Sequence, residues 1–198
     1  MLKLKKLFNM IKIIGGKFKR NNLEVPNRNV RPTSSIKRES IFSVIESYAY
    51  KNSFNLYGNN AVLDIFAGSG SIGLEAISRG MKKAYFYEND INVIQILKKN
   101  CKKICKKNSF EILQNDVMIF SPDKISLPVS LIFIDPPYNK YDISNLLTKL
   151  ILKKIIQKNT LTVFETHKND NFNTIPELKV FNKKSFGKTF LYFLKKLS

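Results

Sequence analysis

"VLDIFAGSGSIGLEA", residues 62–76, begins as an apolar run, continues as a glycine-rich loop and ends in an amphipathic segment. Gly68, Gly70 and Gly73 fit the pattern G-x-G-x-x-G, with a predicted strand before the loop and a predicted helix after it. Glycines at these positions let a ligand approach the backbone closely. The stretch therefore predicts the first strand, loop and helix of a ligand-binding α/β sheet.

The rest of the chain continues this alternation of strands and helices. An alternation of this kind indicates βαβ units, a mostly parallel sheet and helices on both of its faces. A C-terminal segment, 178–194, is expected to add an antiparallel pair. The predicted strands cover 61–66, 84–87, 110–113, 131–134 and 161–164, and the predicted helices cover 71–79, 91–106 and 143–158.

The N-terminal part differs in character from this repeating pattern. Residues 11–30 predict two short strands around Gly15 and Gly16, with a polar turn near Asn21 and Asn22. Ser34 or Ser35 can cap the helix that follows. We therefore expect an N-terminal hairpin over 1–30 and one larger domain over 31–198.

Charge is the strongest feature of the composition. The 198 residues include 34 Lys and Arg against 15 Asp and Glu, which gives a net charge of +19. Such an excess favours a polyanionic partner such as a nucleic acid. Lysine greatly outnumbers arginine, a pattern that an AT-rich genome also produces, so the charge supports a nucleic-acid partner without establishing one.

Several classes of protein fit the sequence poorly. Cys101 and Cys105 have the spacing of neither a redox pair nor a zinc half-site, so we expect reduced thiols and no metal. No run approaches the roughly 20 apolar residues of a membrane helix. The basic N-terminus lacks a small-residue cleavage site. We expect a cytoplasmic monomer with no membrane partner.

Carboxylates at successive strand ends indicate the cofactor. Asp64 lies just before the glycine loop, where it would repel a pyrophosphate but suit an ammonium and a sulfonium. Glu88 ends the second strand and could accept both hydroxyls of a ribose, and Asp116 follows the third strand, near an adenine amino group. Together these features describe S-adenosylmethionine. The predicted cofactor residues are Asp64, Phe66, Gly68, Gly70, Glu88 and Asp116.

"FIDPPY", residues 133–138, ends the fourth strand at the same edge of the sheet. The Asp135 carboxylate and the Pro136 carbonyl could accept both N–H groups of an exocyclic amine on a nucleobase. Pro136 and Pro137 would stiffen this pair of acceptors. Tyr138 offers a ring on which an unstacked base can stack. These four residues are the predicted catalytic residues.

With these residues the chain resembles the class I methyltransferases, and specifically the RsmD family, which methylates the guanine N2 of small-subunit ribosomal RNA. The segments that carry the resemblance are "IKIIGG", "RPTSSIKRESIF", "LDIFAGSGSIGLEAISRG", "FIDPPY" and "SFGKT". The resemblance implies a Rossmann-like, seven-stranded sheet and an N-terminal hairpin that contacts RNA. It implies a guanine target in the small ribosomal subunit or its assembly intermediate.

The same resemblance suggests the RNA-binding residues. Arg31, Thr33 and Arg38 match the block between hairpin and sheet, which we expect to close over the cofactor or over phosphates. Ion pairing of these residues to the rim of the sheet is the alternative. Lys17 and Arg20 are the candidates within the hairpin.

Three other functions remain open at this point. An adenine N6 methyltransferase acting on DNA or another RNA would use a related loop, but such enzymes usually carry a target-recognition domain for which this chain has no room. An NAD-dependent enzyme is disfavoured by Asp64 and by the lack of a substrate domain. A noncatalytic RNA-binding relic is disfavoured by the intact D-P-P-Y loop.

Overall fold

A computed structural model describes residues 9–26, 33–119, 121–137, 140–170 and 172–197 of the chain. The elements in chain order are β1 (Asn9–Lys12), β2 (Asn22–Val25), α1 (Ser35–Lys51), β3 (Gly58–Ile65), α2 (Ser71–Arg79), β4 (Met81–Tyr87), α3 (Ile91–Ile104), β5 (Phe110–Leu113), β6 (Val129–Ile134), α4 (Ile143–Leu152), β7 (Leu161–His167), β8 (Leu178–Phe186) and β9 (Thr189–Lys196).

Strands β3 to β9 form one mixed sheet of seven strands within these ranges, in the order β5-β4-β3-β6-β7-β9-β8. Strands β3 to β7 run parallel, and β9 pairs antiparallel with both β7 and β8. The chain forms β3, β4 and β5 in one direction and then crosses to β6 on the other side of β3, so the strand order reverses between β3 and β6. Ligands of such sheets bind outside the carboxyl ends of the strands at this crossover.

Helices cover both faces of the sheet, as the alternation predicts. Helices α1, α2 and α3 pack with the hairpin residues Ile13 and Leu23 on one face, and α4 packs on the other. The β-strands alternate accordingly, so that Val62 belongs to the first core and Leu63 to the second. The α/β fold with an N-terminal hairpin is therefore confirmed.

The hairpin is held tightly against α2. Gly16 has φ of +73°, and a Cβ on it would lie 1.9 Å from the Ser78 carbonyl oxygen. That close approach lets the Lys17 N–H donate to the same oxygen at 2.7 Å. Only glycine fits this contact.

Several boundaries differ from the sequence predictions; β3 and β4, for example, begin three residues earlier than predicted, at Gly58 and Met81. Asn22 begins β2, so the predicted polar turn at Asn21 and Asn22 is wrong, and the chain reverses between Gly16 and Arg20. Helix α3 ends two residues early, and α4 ends at Leu152 because Lys154 adopts φ of +57°. Strand β7 continues to His167 because β9 pairs with it along that whole length.

Candidate active site

The glycine loop turns sharply between β3 and α2. Phe66, Gly68 and Gly70 all have positive φ, of 62°, 54° and 78°. For a bulky residue such as Phe66 this conformation is strained and marks a functional turn. A Cβ on Gly70 would lie 2.4 Å from the Leu97 side chain, so glycine is also required there for α3 to pack against the loop.

Asp64 lies beneath this loop and is 2% exposed. One carboxylate oxygen accepts the Gly73 N–H at 2.9 Å, which fixes the start of α2. Burial raises the pKa of Asp64 to about 8, the hydrogen bond from Gly73 opposes this rise, and the charges of Asp135 and Glu88 add to it. A buried carboxylate in this position suits a cationic ligand.

Glu88 follows β4 and is tied to backbone amides. Its Oε2 accepts the Gly68 N–H at 2.9 Å, and its Oε1 accepts the N–H groups of Asn89 and Asp90 at 2.9 and 3.0 Å. The side chain therefore closes against the glycine loop at the next strand end, where the ribose of a cofactor was predicted. Oε2 has a further lone pair for a hydroxyl donor, whereas Oε1 already accepts two hydrogen bonds.

Asp116 lies on the same edge of the sheet, after β5. It is exposed, and its Oδ1 accepts the Met118 N–H at 2.8 Å at the start of a short 3₁₀ turn. The structure thus gives Asp116 a local capping contact. Its predicted contact with adenine remains a proposal.

Asp135 comes directly after β6, beside the glycine loop. Its backbone N–H approaches the Ile65 carbonyl oxygen at 3.5 Å, which extends the pairing of β6 with β3. Pro136 is half-buried and Pro137 is exposed. Tyr138, the fourth predicted catalytic residue, lies outside the described residues.

Two residues that the sequence analysis missed contact this site. Lys37 of α1 donates to Glu165 of β7 at 2.5 Å and to the Thr189 hydroxyl at 3.2 Å. Glu165 was assigned to a loop, because the predicted strand ended at Phe164. A glutamate at the carboxyl end of a parallel strand, next to the strand that carries Asp135, is the signal that could have identified it.

Together, four carboxylates form a row along four adjacent strand ends among the described residues. In sheet order they are Glu88 just after β4, Asp64 on β3, Asp135 just after β6 and Glu165 on β7. This acidic row lies in a chain whose net charge is +19. These acceptors fit a ligand that carries an ammonium, a sulfonium and ribose hydroxyls, as S-adenosylmethionine does.

Asp135 titrates in the neutral range. Burial and the neighbouring charge of Glu165 raise the pKa of Asp135 to about 7, and Lys37 opposes the rise. Below that pH the protonated carboxyl group loses acceptor capacity. The acceptor function proposed for Asp135 therefore depends on pH.

This dependence predicts the pH profile of an activity that needs ionised Asp135. At saturating cofactor, kcat/KM should rise with pH through an apparent pKa near 7 and then level off. Lys37→Met should move that limb to higher pH, because it removes the charge that lowers the pKa of Asp135. A profile that is flat from pH 5.5 to about 8.5, or an unshifted limb in the variant, would contradict the assignment.

The predicted RNA-binding residues fall into different environments. Lys17 and Arg20 are exposed on the hairpin connection, and Thr33 is half-buried just before α1. Arg31 lies outside the described residues. Arg38, by contrast, is 0% exposed. Its side chain donates to the Lys12 carbonyl oxygen at 2.9 Å and lies 3.6 Å from Glu75, so it is not available to a phosphate in this structure.

The described residues include no group of three or more His, Cys, Asp and Glu side chains that could hold a metal ion. Over the same ranges no helix combines the length and the apolar character needed to cross a membrane. Cys101 and Cys105 are free cysteines and form no disulfide with each other.

Comparison with known proteins places most of the chain in one family. The protein family described as Conserved hypothetical protein 95 matches residues 11–195. Ribosomal RNA small subunit methyltransferase D of Buchnera aphidicola subsp. Acyrthosiphon pisum is 31% identical over 175 residues, which cover 88% of this chain and 87% of the relative.

Two matches from Haemophilus influenzae, one by sequence and one by structure, extend the comparison. The ribosomal RNA small subunit methyltransferase D of that organism is 29% identical over 180 residues, covering 89% of each chain. The crystal structure of its protein HI0767 superposes with a TM-score of 0.76 at 26% identity, over 96% of this chain and 100% of that one.

Proposed function

The chain belongs to the RsmD family of methyltransferases, and from this membership we propose that it methylates the N2 amino group of a guanine in small-subunit ribosomal RNA. The cofactor is S-adenosylmethionine. Two of the similar proteins are named small subunit ribosomal RNA methyltransferases, which supports the class of substrate. The guanine N2 target is a finer assignment that needs its own test.

One observation carries the proposal: Asp135, at the end of β6, lies beside the glycine loop that follows β3. The two predicted halves of the site therefore share one edge of the sheet. A cofactor over Asp64 and Glu88 and a base at Asp135 would be neighbours. That proximity is what transfer between two bound molecules requires.

The chain's own residues would act mainly by positioning. When bound, S-adenosylmethionine supplies a methyl group on a positively charged sulfur. The Asp135 carboxylate and the Pro136 carbonyl accept the two N–H groups of the target amine, which directs the nitrogen lone pair to one side. As the nitrogen gains a methyl group it becomes acidic, and the ionised Asp135 can accept the proton that it loses.

The direct test uses cofactor with a labelled methyl group. The protein is incubated with undermethylated small ribosomal subunits, with their stripped RNA and with duplex DNA, and each product is digested to nucleosides. Label in N2-methylguanosine from ribosomal material is expected. Label in N6-methyladenine would overturn the guanine assignment, and no label in any nucleoside would overturn the activity.

Cofactor binding gives an independent prediction. Asp64→Asn keeps an acceptor for the Gly73 N–H but cannot ionise beside a cationic ligand, and Glu88→Gln places an amide against backbone N–H groups. We expect calorimetric titration to show about 10- to 100-fold weaker cofactor binding in each variant. Glu111→Gln is the matched control, because Glu111 forms an ion pair with Lys83 away from the acidic row. Unchanged affinity in both site variants would refute the cofactor assignment.

Salt dependence tests the hairpin as an RNA surface. Affinity for stripped small-subunit RNA should fall steeply with salt, since phosphate contacts release counterions. Lys17→Ala combined with Arg20→Ala should reduce the slope of log K against log salt by about 1 to 2. Lys82→Ala, at the amino end of β4, is the control. An equal slope in the hairpin variant and the control would rule out these contacts.

A further inference from the structure

Glu165 lies next to Asp135 on the neighbouring strand. Ile134 of β6 pairs with Phe164 of β7 in a parallel register, and Asp135 and Glu165 are the residues that follow. Because side chains alternate along strands, the two carboxylates lie on the same face of the sheet, above Phe133 and Val163. They therefore form a pair of adjacent acceptors at the catalytic edge.

The contacts of Glu165 leave half of its carboxylate unused. Its side chain is 5% exposed, and Oε1 forms the ion pair with Lys37. Oε2 is buried and has no hydrogen-bond partner among the described residues. A buried charged acceptor without a partner is costly, because it has lost its contacts with water and gained none in return, so such an atom needs an explanation.

The ion pair defines what Oε2 can do. Lys37 holds Oε1 and is itself held by the Thr189 hydroxyl at 3.2 Å, which fixes the carboxylate between α1, β7 and β9. As a carboxylate paired with a lysine, Glu165 accepts hydrogen bonds and donates none. The free oxygen is thus suited to an N–H donor that lies beside the group bound by Asp135.

We propose that Glu165 Oε2 accepts the N1–H of the target guanine, and so selects guanine over bases that carry a lone pair at N1. This inference rests on the proposed function. Guanine presents N1–H and the N2 amino group side by side, which matches two adjacent carboxylates. A base with a bare N1 places a lone pair against Oε2 and leaves the buried charge without a donor, which is a strong basis for rejection.

2-Aminopurine separates this contact from the chemistry, because it keeps the N2 amino group but has a lone pair at N1. Ribosomal RNA is prepared with guanine or 2-aminopurine at the methylated position, which nuclease fragmentation of the labelled RNA locates. We expect the wild-type protein to prefer guanine by about 100-fold in kcat/KM. If the wild-type protein methylates 2-aminopurine as fast as it methylates guanine, the inference is overturned, whatever the variants do.

Glu165→Gln is the informative variant. Gln keeps an acceptor for Lys37 and gains an amide N–H that can donate to the N1 of 2-aminopurine. The preference for guanine over 2-aminopurine should fall at least about tenfold. An equal loss of rate on both bases would show that Glu165 is only a structural partner of Lys37. 2-Aminopurine also lacks the O6 of guanine. Comparing the guanine-to-2-aminopurine ratio of kcat/KM in the variant with the same ratio in wild type cancels the contribution of O6, because that contribution enters both ratios.

The control and the labelling result keep the two proposals separate. Glu111→Gln, which alters another ion-paired strand carboxylate, should leave the ratio at its wild-type value. Formation of N2-methylguanosine by the wild-type protein supports the proposed function even if the ratio does not change in Glu165→Gln. Absence of label at guanine N2 overturns the proposed function itself.

Discussion

Replacing Asp135 with alanine is expected to reduce methyl transfer by about three orders of magnitude. The variant loses the carboxylate that holds the target amine and accepts its proton. Single-turnover assays with the labelled cofactor measure this loss directly. Asp135→Asn keeps one side-chain acceptor, so its loss should be smaller, about 10- to 100-fold.

The loss should be confined to catalysis. Asp64 and Glu88, which are proposed to bind the cofactor, remain in place, so cofactor affinity should stay within about threefold of wild type. Burial and Glu165 raise the pKa of Asp135 to about 7, so its ionisation costs stability as pH rises from acid through neutral. The alanine variant should therefore unfold no more easily than wild type at pH 8. Methyl transfer near the wild-type rate would contradict the proposed role.

Glu75→Ala is expected to cause the largest loss of stability, about 3–5 kcal/mol. Glu75 and Arg38 are both 0% exposed, and their charged atoms lie 3.6 Å apart. Glu75 also accepts the N–H groups of Ile14 and Gly15 at 2.8 and 2.7 Å. Its removal leaves a buried guanidinium and two backbone donors without their acceptor.

Chemical denaturation measures this effect, and a nearby glutamate provides the control. Glu75 and Glu39 both form ion pairs with Arg79, at 2.9 and 3.2 Å. The side chain of Glu39, however, is 58% exposed. Glu39→Ala should therefore cost less than about 1 kcal/mol. Limited proteolysis should cut the hairpin faster in Glu75→Ala. A Glu75→Ala variant within about 1 kcal/mol of wild type would show that this network does not hold the hairpin.

Several features follow from local sequence. The junction at residues 62–76 predicts a strand, a loop and a helix, and the structure begins α2 at Ser71 and ends it at Arg79 as predicted. The Ser34 side chain accepts the Lys37 N–H, which is one of the two caps expected from the sequence. These features depend on neighbouring residues in the chain, where turn geometry, capping and apolar periodicity act directly.

Other outcomes depend on distant contacts. Arg38 was expected to close over the cofactor or over phosphates, with ion pairing as the alternative, and the hairpin and α2 enclose it beside Glu75. Helix α4 was expected to continue to residue 158, yet Ile155 and Ile156 pack in the core instead. In both cases tertiary packing overrides a local pattern, because burial of a side chain depends on elements far away in the chain.

By itself the sequence determined the class of fold, the glycine loop and the position of Asp135 at a strand end, since each is specified by adjacent residues. Only the tertiary structure decided that Lys37 meets Glu165, a residue 128 positions away. It also decided that Glu165 lies beside Asp135, through the parallel pairing of β6 with β7. Periodicity fixes which face of an element is buried, but strand order and helix docking determine which charged side chains share that face.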